Sequence, residues 1–277
     1  MRIVNGAVAP FLKWTGGKRQ ILPIIKKYVP EHMRYFEPFL GGGAVFFALR
    51  PKIAFLNDLN SDLINVYEVI KEFPGELIES LKQHKNEEEY FYDMRRLDRD
   101  YKRYNSLDSI KKASRFIYLN KTCFNGLFRV NKKGQFNAPY GRYINPNIVC
   151  EPLLRAVTDY LNTNEFYFTS FDFTDHLKAA RKGDFVYLDP PYDPVSTTSH
   201  FTGYVKYGFD KDDQLRLKQT CDVLAAKGVK FLLSNSATTY IKTLYQDYDL
   251  VYVYANRVIN SNAKKRGSIC ELLIKNY

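Results

Sequence analysis

Short apolar runs alternate with helical segments at both ends of this chain, and that rhythm narrows the fold more than any other feature. "RYFEPF" (34–39) reads as a strand and leads into "GGGAVFFALR" (41–50), a glycine turn that opens a helix. "IAFLND" (53–58) and "DLINVYEVIKEF" (62–73) repeat the pattern. Further strand-like runs come at "EFYFTSF" (165–171), "DFVYLD" (184–189), "VKFLLSN" (229–235), "YDLVYVYA" (248–255) and "SICELLIKNY" (268–277). In "DDQLRLKQTCDVLAAKG" (212–228), Leu217, Cys221 and Leu224 share one helical face and Gly228 ends the helix. Apolar strands separated by helices build a parallel sheet covered on both faces. The last two runs have only a short link, which predicts an antiparallel pair at the sheet edge. The expected class is α/β.

Residues 75–165 break the rhythm. They open with the charged helical stretch "ELIESLKQHKNEEEYFYDMRRLDRDYKRY" and continue through "SIKKASRFIYLNKTCFNGLFRVNKKGQFNAPYGRY". "LFRV" and "QFNA" read as two short strands joined by "NKKG", a turn in which Asn131 and Gly134 fit and Gly134 can take positive φ. The expectation is one unit formed by 1–74 plus 166–277, with 75–165 inserted as a mostly helical subdomain containing a β-hairpin.

Charge bounds the partners. Lys plus Arg exceed Asp plus Glu by 41 − 30 = 11, which favours a polyanion or simply solubility. The four cysteines and four histidines are scattered, with no C-x-x-C or Cys/His cluster, so no metal site or disulfide framework is expected and a reducing cytoplasm fits. No apolar stretch approaches the ~20 residues of a membrane span, and no signal peptide is read at the N-terminus. A soluble cytoplasmic monomer is expected.

Three stretches carry chemistry. In "FEPFLGGGAVFFAL" a strand runs into a glycine turn, where the backbone can approach a ligand and a helix N-terminus offers free N–H groups. The next strand ends in Asp58, seventeen positions after Gly41, where an acid can accept from ribose hydroxyls. The dinucleotide fingerprint is only partly met, since position 46 is Phe, and a P-loop fails because Arg19 follows Gly17 and Lys18. A plain strand–turn–helix junction stays open as the alternative. In "PFLKWTGGKRQ", Lys18 could meet a carboxylate ligand or belong to a solvated basic helix; Trp14, the single tryptophan, sits beside it. In "LDPPY", two prolines forbid continued strand or helix. Asp189 there supplies acceptors, Pro190 a carbonyl and Tyr192 a flat face. Such a set suits an exocyclic amine on a planar base: two acceptors take its two hydrogens, a ring stacks on the base, and the amine lone pair is freed to attack. Ligands of open α/β sheets bind beyond the carboxyl ends of the strands, so the glycine turn and Asp189 can face one crevice. A simple turn is the other reading.

"PFLKWTGGKRQ", "FEPFLGGG", "FLND", "LDPPYDP" and "LLSNS", taken in this order over essentially the whole chain, resemble the Dam-type DNA N6-adenine methyltransferases of the α group. The likeness is greatest to the GATC methylases of DpnII-type restriction–modification systems. The resemblance implies a Rossmann-like S-adenosylmethionine-dependent sheet with a DNA target-recognition insert. It implies cofactor contacts at Trp14, Lys18, Glu37, Pro38, Phe39, Gly41, Gly43, Asp58 and Asp189, and at Asp172 and Phe173 of "SFDF", where Ser170 departs from the usual glycine. It implies a catalytic turn at Asp189, Pro190, Pro191 and Tyr192, acting on an adenine flipped out of duplex DNA. DNA contact falls to Phe124, Asn125, Leu127, Arg129, Pro139, Arg142 and Tyr143, a basic, aromatic segment suited to groove contact and wedging. Phe124 and Phe128 could instead pack in a core. Lys264, Lys265 and Arg266 suit phosphates or a solvated loop. A separately encoded restriction endonuclease fits, without a stable complex. An RNA or protein amide methylase would tend to carry Asn in place of Asp189. A DNA-binding regulator that no longer transfers methyl groups would show eroded motifs. A cytosine-C5 enzyme would need a Pro-Cys nucleophile, which the sequence lacks.

Overall fold

A computed structural model of the chain describes residues 8–14, 16–195, 208–256 and 268–277. Its strands are β1 (Tyr35–Glu37), β2 (Ile53–Asn57), β3 (Glu165–Thr169), β4 (Phe185–Leu188), β5 (Lys230–Ser236), β6 (Asp249–Asn256) and β7 (Ser268–Lys275). They form one seven-stranded sheet in the order β3-β2-β1-β4-β5-β7-β6. The first five strands run parallel. The expected antiparallel pair forms at the edge, with β7 inserted between β5 and β6. From β1 the chain winds outward to β2 and β3, then returns to place β4 on the other side of β1. The direction of winding therefore switches between β1 and β4, the place where open α/β sheets hold ligands.

The helices are α1 (Leu22–Tyr28), α2 (Ala44–Leu49), α3 (Ser61–Glu72), α4 (Pro74–Lys82), α5 (Glu88–Arg96), α6 (Tyr101–Asn105), α7 (Ser109–Thr122), α8 (Glu151–Asn162), α9 (Phe173–Leu177), α10 (Lys211–Ala226) and α11 (Thr239–Leu244). None in the described residues is long and apolar enough to cross a membrane. β4, "FVYL", is buried on both faces and its pleat divides the core: Phe185 and Tyr187 enter one apolar cluster, Val186 and Leu188 the other. The second cluster takes Leu217, Cys221 and Leu224 of α10, the face read from the sequence. Gly228, at φ +70°, follows that helix.

The first cluster runs from Tyr35 and Leu56 in the sheet through Tyr67 and Ile70 of α3 to Phe116, Ile117 and Leu119 of α7. The hairpin around "NKKG" is short. Gly134 takes φ +79°, and the N–H of Gly134 donates to the Asn131 carbonyl at 2.8 Å. Pairing is limited to one bridge, Val130 to Phe136, rather than two full strands. The flanking bonds run from the Asn131 N–H to the Gln135 carbonyl and from the Asn137 N–H to the Arg129 carbonyl, both at 2.9 Å, and the outward-facing Phe136 N–H donates to Asp98 Oδ2 at 2.8 Å.

Candidate active site

The end of β1 and the end of β2 are tied together before any ligand is considered. Asn57, buried at the last position of β2, donates through Nδ2 to the carbonyls of Pro38 and Phe171, both at 3.1 Å. Its Oδ1 accepts from the Phe171 N–H and the Thr169 hydroxyl, both at 2.8 Å. One side chain thus fixes the loops leaving β1 and β3. Asp58 accepts the Gly41 N–H at 2.9 Å and the Asn60 N–H at 3.0 Å. Burial pushes its pKa up to about 6, against the pull of those two amides. Gly41 and Gly43 have φ of +49° and +68°, and a Cβ on Gly43 would lie 2.8 Å from the Tyr67 hydroxyl, so the turn needs glycine twice. Glu37 is 2% exposed and its carboxyl is engaged by the Tyr35 hydroxyl at 2.7 Å; burial raises its pKa well above the carboxylate range.

Lys18 reaches across this turn to the end of β4. Its Nζ lies 2.8 Å from Asp189 Oδ1 with only 5% of the lysine side chain exposed, and it also donates to the Gly16 carbonyl at 2.7 Å. The carboxylate it meets is therefore one of the chain's own. Burial raises the Asp189 pKa; the Lys18 charge opposes that shift, and Glu271 reinforces it. The same ammonium stands 4.8 Å from the Tyr192 ring centre, and the Tyr192 hydroxyl donates to Glu271 Oε2 at 3.0 Å. The turn beyond is secured to β5 and α10. Gln214 donates to the Pro191 carbonyl at 3.0 Å, Asn235 donates to Gln214 at 3.0 Å, and Asn235 accepts the Asp193 N–H at 3.1 Å. Pro190 is buried within it.

Trp14 lies over the glycine turn, where a Cβ on Gly41 would fall 2.6 Å from its Nε1. Phe39 contacts Phe173, with ring centres 5.5 Å apart, which brings the loop after β3 to the same end of the sheet. Asp172 caps α9 through the Thr174 N–H and pairs with Arg216 at 2.9 Å. Burial works to raise its pKa, but Thr174 and Arg216 outweigh that and lower it. Of two cavities of about 370 and 350 Å³, the first lies by Leu81 and Ile148, away from this cluster, and the second borders it only at Thr174 and Arg216.

The residues read as DNA contacts divide. Phe124 is 54% exposed while Phe128 is buried, so the core reading of "FNGLF" holds for Phe128 and not for Phe124. Asn125 sits at φ +56° in the turn Phe124–Gly126, and Leu127 is half-buried. Arg129 is drawn onto Asn137 at 2.7 Å, whereas the Pro139 ring is exposed and its carbonyl accepts the Phe124 N–H at 2.8 Å. Arg142, at φ +52°, has a 78% exposed side chain whose ion pair with Glu88 is 3.4 Å long. Tyr143 carries Lys13 Nζ 4.4 Å above its ring. Lys264, Lys265 and Arg266 lie outside the described residues. Asn57, Gln214 and Glu271 had no role in the sequence reading; a polar residue closing a buried apolar strand was the available signal for Asn57.

An α/β sheet with its switch point between β1 and β4, and an Asp-Pro-Pro-Tyr turn at that point, defines a class that comparison with known proteins makes specific. The D12 class N6 adenine-specific DNA methyltransferase family matches residues 14–259, and the chain belongs to that family. The chain is 46% identical over 271 residues to the Type II methyltransferase M1.LlaDCHI of Lactococcus lactis subsp. cremoris, covering 97% of this chain and 95% of that one. It is 43% identical to the Type II methyltransferase M.MjaIII of Methanocaldococcus jannaschii, covering 98% and 99%. It is 37% identical to a DNA adenine methylase of Vibrio cholerae serotype O1, covering 95% and 94%. The protein is an adenine-specific DNA methyltransferase, and the family implies S-adenosylmethionine as methyl donor. The readings as an RNA or protein methylase and as an inactive regulator are set aside.

Proposed function

We propose that this enzyme methylates N6 of the adenine in GATC, in duplex DNA, after turning that adenine out of the stack. Residues 1–74 plus 166–277 hold the cofactor and the base; 75–165 read the DNA. The observation that carries the reading is the ion pair of buried Lys18 with Asp189, set against the Tyr192 ring.

The residues present fit S-adenosylmethionine. Each Asp58 oxygen holds one amide N–H and keeps lone-pair capacity for a ribose hydroxyl. Trp14 and Phe39 offer apolar walls at this end of the sheet, where the charges of Asp172 and Asp189 are offset by Arg216 and Lys18. The cofactor supplies a methyl group on a sulfonium. On the protein side, Lys18 favours the ionised form of Asp189 against burial, and an ionised carboxylate is a stronger acceptor than a neutral one. Asp189 and the Pro190 carbonyl take the two N6 hydrogens, which draws the nitrogen toward tetrahedral geometry and exposes its lone pair. The methylated amine is cationic and acidic, so its proton leaves readily; Asp189 serves mainly as acceptor. Turning the base out costs a few kcal/mol, and stacking on Tyr192 offsets part of it. The two Type II relatives support a separately encoded restriction endonuclease. A cytoplasmic monomer with no stable endonuclease complex completes the reading. Labelled methyl transfer to short duplexes bearing GATC or its single-base variants tests it: transfer confined to GATC is expected, and equal transfer to all would reject the specificity.

Two further outcomes follow at this site. Asp58 is ionised above about pH 6 and protonated below it, so its acceptor strength falls as pH drops. S-adenosylhomocysteine affinity, measured by calorimetry, should weaken below that pH by up to about tenfold per unit. Asp58→Asn should flatten the profile, and an unchanged slope in that variant would exclude Asp58 as the titrating contact. Tyr192→Ala should weaken capture of the flipped base by ~1–3 kcal/mol, while Tyr192→Phe, which keeps the ring, should be mild. 2-Aminopurine at the target position reports this as a lower fluorescence rise; a full rise in the alanine variant would remove stacking from the account.

A further inference from the structure

Asn120, in the last turn of α7, is completely buried and polar. Its side chain grips the backbone of a residue 107 positions away: Oδ1 accepts the Lys13 N–H at 2.9 Å, and Nδ2 donates to the Lys13 carbonyl at 2.7 Å. Nδ2 also donates to the Gly126 carbonyl at 3.3 Å. Lys13 and Gly126 are themselves in close contact, since a Cβ on Gly126 would lie 2.3 Å from Lys13 Cδ. The adjacent Trp14 faces two ways. One side stacks on Phe128, with ring centres 5.3 Å apart and planes 19° from parallel, and more distantly on Phe116 at 6.4 Å. Its Cβ and its Nε1–Cδ1 edge fill the space over Gly42 and Gly41. The Lys13–Trp14 strap therefore touches the glycine turn on one side, and on the other the segment that presents exposed Phe124 and Asn125.

We propose that Asn120 is a positioning residue that couples DNA reading to cofactor binding, by fixing the Lys13–Trp14 strap to both the glycine turn and the Phe124–Gly126 turn. The inference rests on the proposed function, which places the cofactor at the first turn and DNA at the second. Its physical basis is rigidity. A bidentate grip on the N–H and carbonyl of one residue restrains the strap, and the Trp14 ring transmits a shift of the glycine turn to Phe128 and the backbone next to it. A loose strap would let each ligand bind without informing the other.

The test is a linkage cycle: affinity for a GATC duplex with and without saturating S-adenosylhomocysteine, and affinity for S-adenosylhomocysteine with and without that duplex. Wild type should show reciprocal coupling of at least about fivefold. Asn120→Ala should bring both ratios below about twofold, with discrimination between GATC and its variants falling alongside. Since removing a buried amide can unfold the chain, Phe128→Leu, which keeps an apolar side chain but removes the ring stack, is the second variant and should lose coupling in the same way. Residual turnover in either variant identifies folded enzyme. Wild-type coupling near unity, or full coupling and full discrimination in Phe128→Leu or a folded Asn120→Ala, overturns the inference. Wild type that methylates GATC no better than its single-base variants overturns the proposed function instead, so the two failures are distinct.

Discussion

Asp189→Ala should lower kcat by at least about two decades, the scale of one lost transition-state interaction of ~3 kcal/mol. Asp189 ends a strand buried on both faces and is followed by two prolines, so the backbone that carries it is stiff. Its partner Lys18 is only 5% exposed, and removing the carboxylate leaves that ammonium buried without its counter-charge. Some loss of stability is therefore expected with either variant, and Asp189→Asn, which keeps the shape and an acceptor oxygen for Lys18, limits that loss so that turnover can be read on folded enzyme. The asparagine amide can direct hydrogens at N6 where the carboxylate accepts them. The neutral amide also leaves Lys18 without a counter-charge, so this variant should melt below wild type though above the alanine variant, and the folded enzyme should turn over at about a hundredth of the wild-type rate or less. Steady-state methylation of a GATC duplex at saturating cofactor reads both variants. Turnover above a hundredth in the folded asparagine variant would remove Asp189 from the role of N6 acceptor.

The second large effect belongs to Arg142. Its φ of +52° is a conformation L side chains rarely adopt, and the side chain is 78% exposed with a single long contact to Glu88. A guanidinium presented in this way can donate to guanine O6 and N7 together, a contact worth ~1–3 kcal/mol of discrimination. Arg142→Ala should lower kcat/KM on GATC by roughly one to two decades, with near-cognate duplexes changing less. Arg142→Lys should not restore it, because an ammonium cannot reproduce the fork. Methylation rates on GATC and its single-base variants decide the matter. Equal losses on every duplex would make Arg142 a phosphate contact, and no loss at all would take it off the DNA.

Most of the sheet could be read directly because parallel strands buried on both faces must be apolar throughout, as "FVYL" is. Asp58 and Asp189 were legible for the same reason, since a charged residue closing such a run marks the carboxyl end of a strand. Tertiary choices were less accessible. The antiparallel pair was visible in the short link, but the insertion of β7 between β5 and β6 was not, and that register brings Glu271 to the Tyr192 hydroxyl. Gln214 sits in a polar stretch of α10, yet it is 1% exposed because it bonds the Pro191 carbonyl. Periodicity also gave no means of separating Phe124 from Phe128: the first ring is presented at a turn, and the second is buried against Trp14 and Phe116. Arg129 looked as available as Arg142 until Asn137 accounted for its guanidinium.

The most direct measurement of the central claim is the map of N6-methyladenine on plasmid DNA treated with the purified enzyme and S-adenosylmethionine. The account predicts methylation of the adenine in every GATC and of no other adenine. Methyl groups on cytosine, or on adenines outside GATC as often as within it, would contradict it.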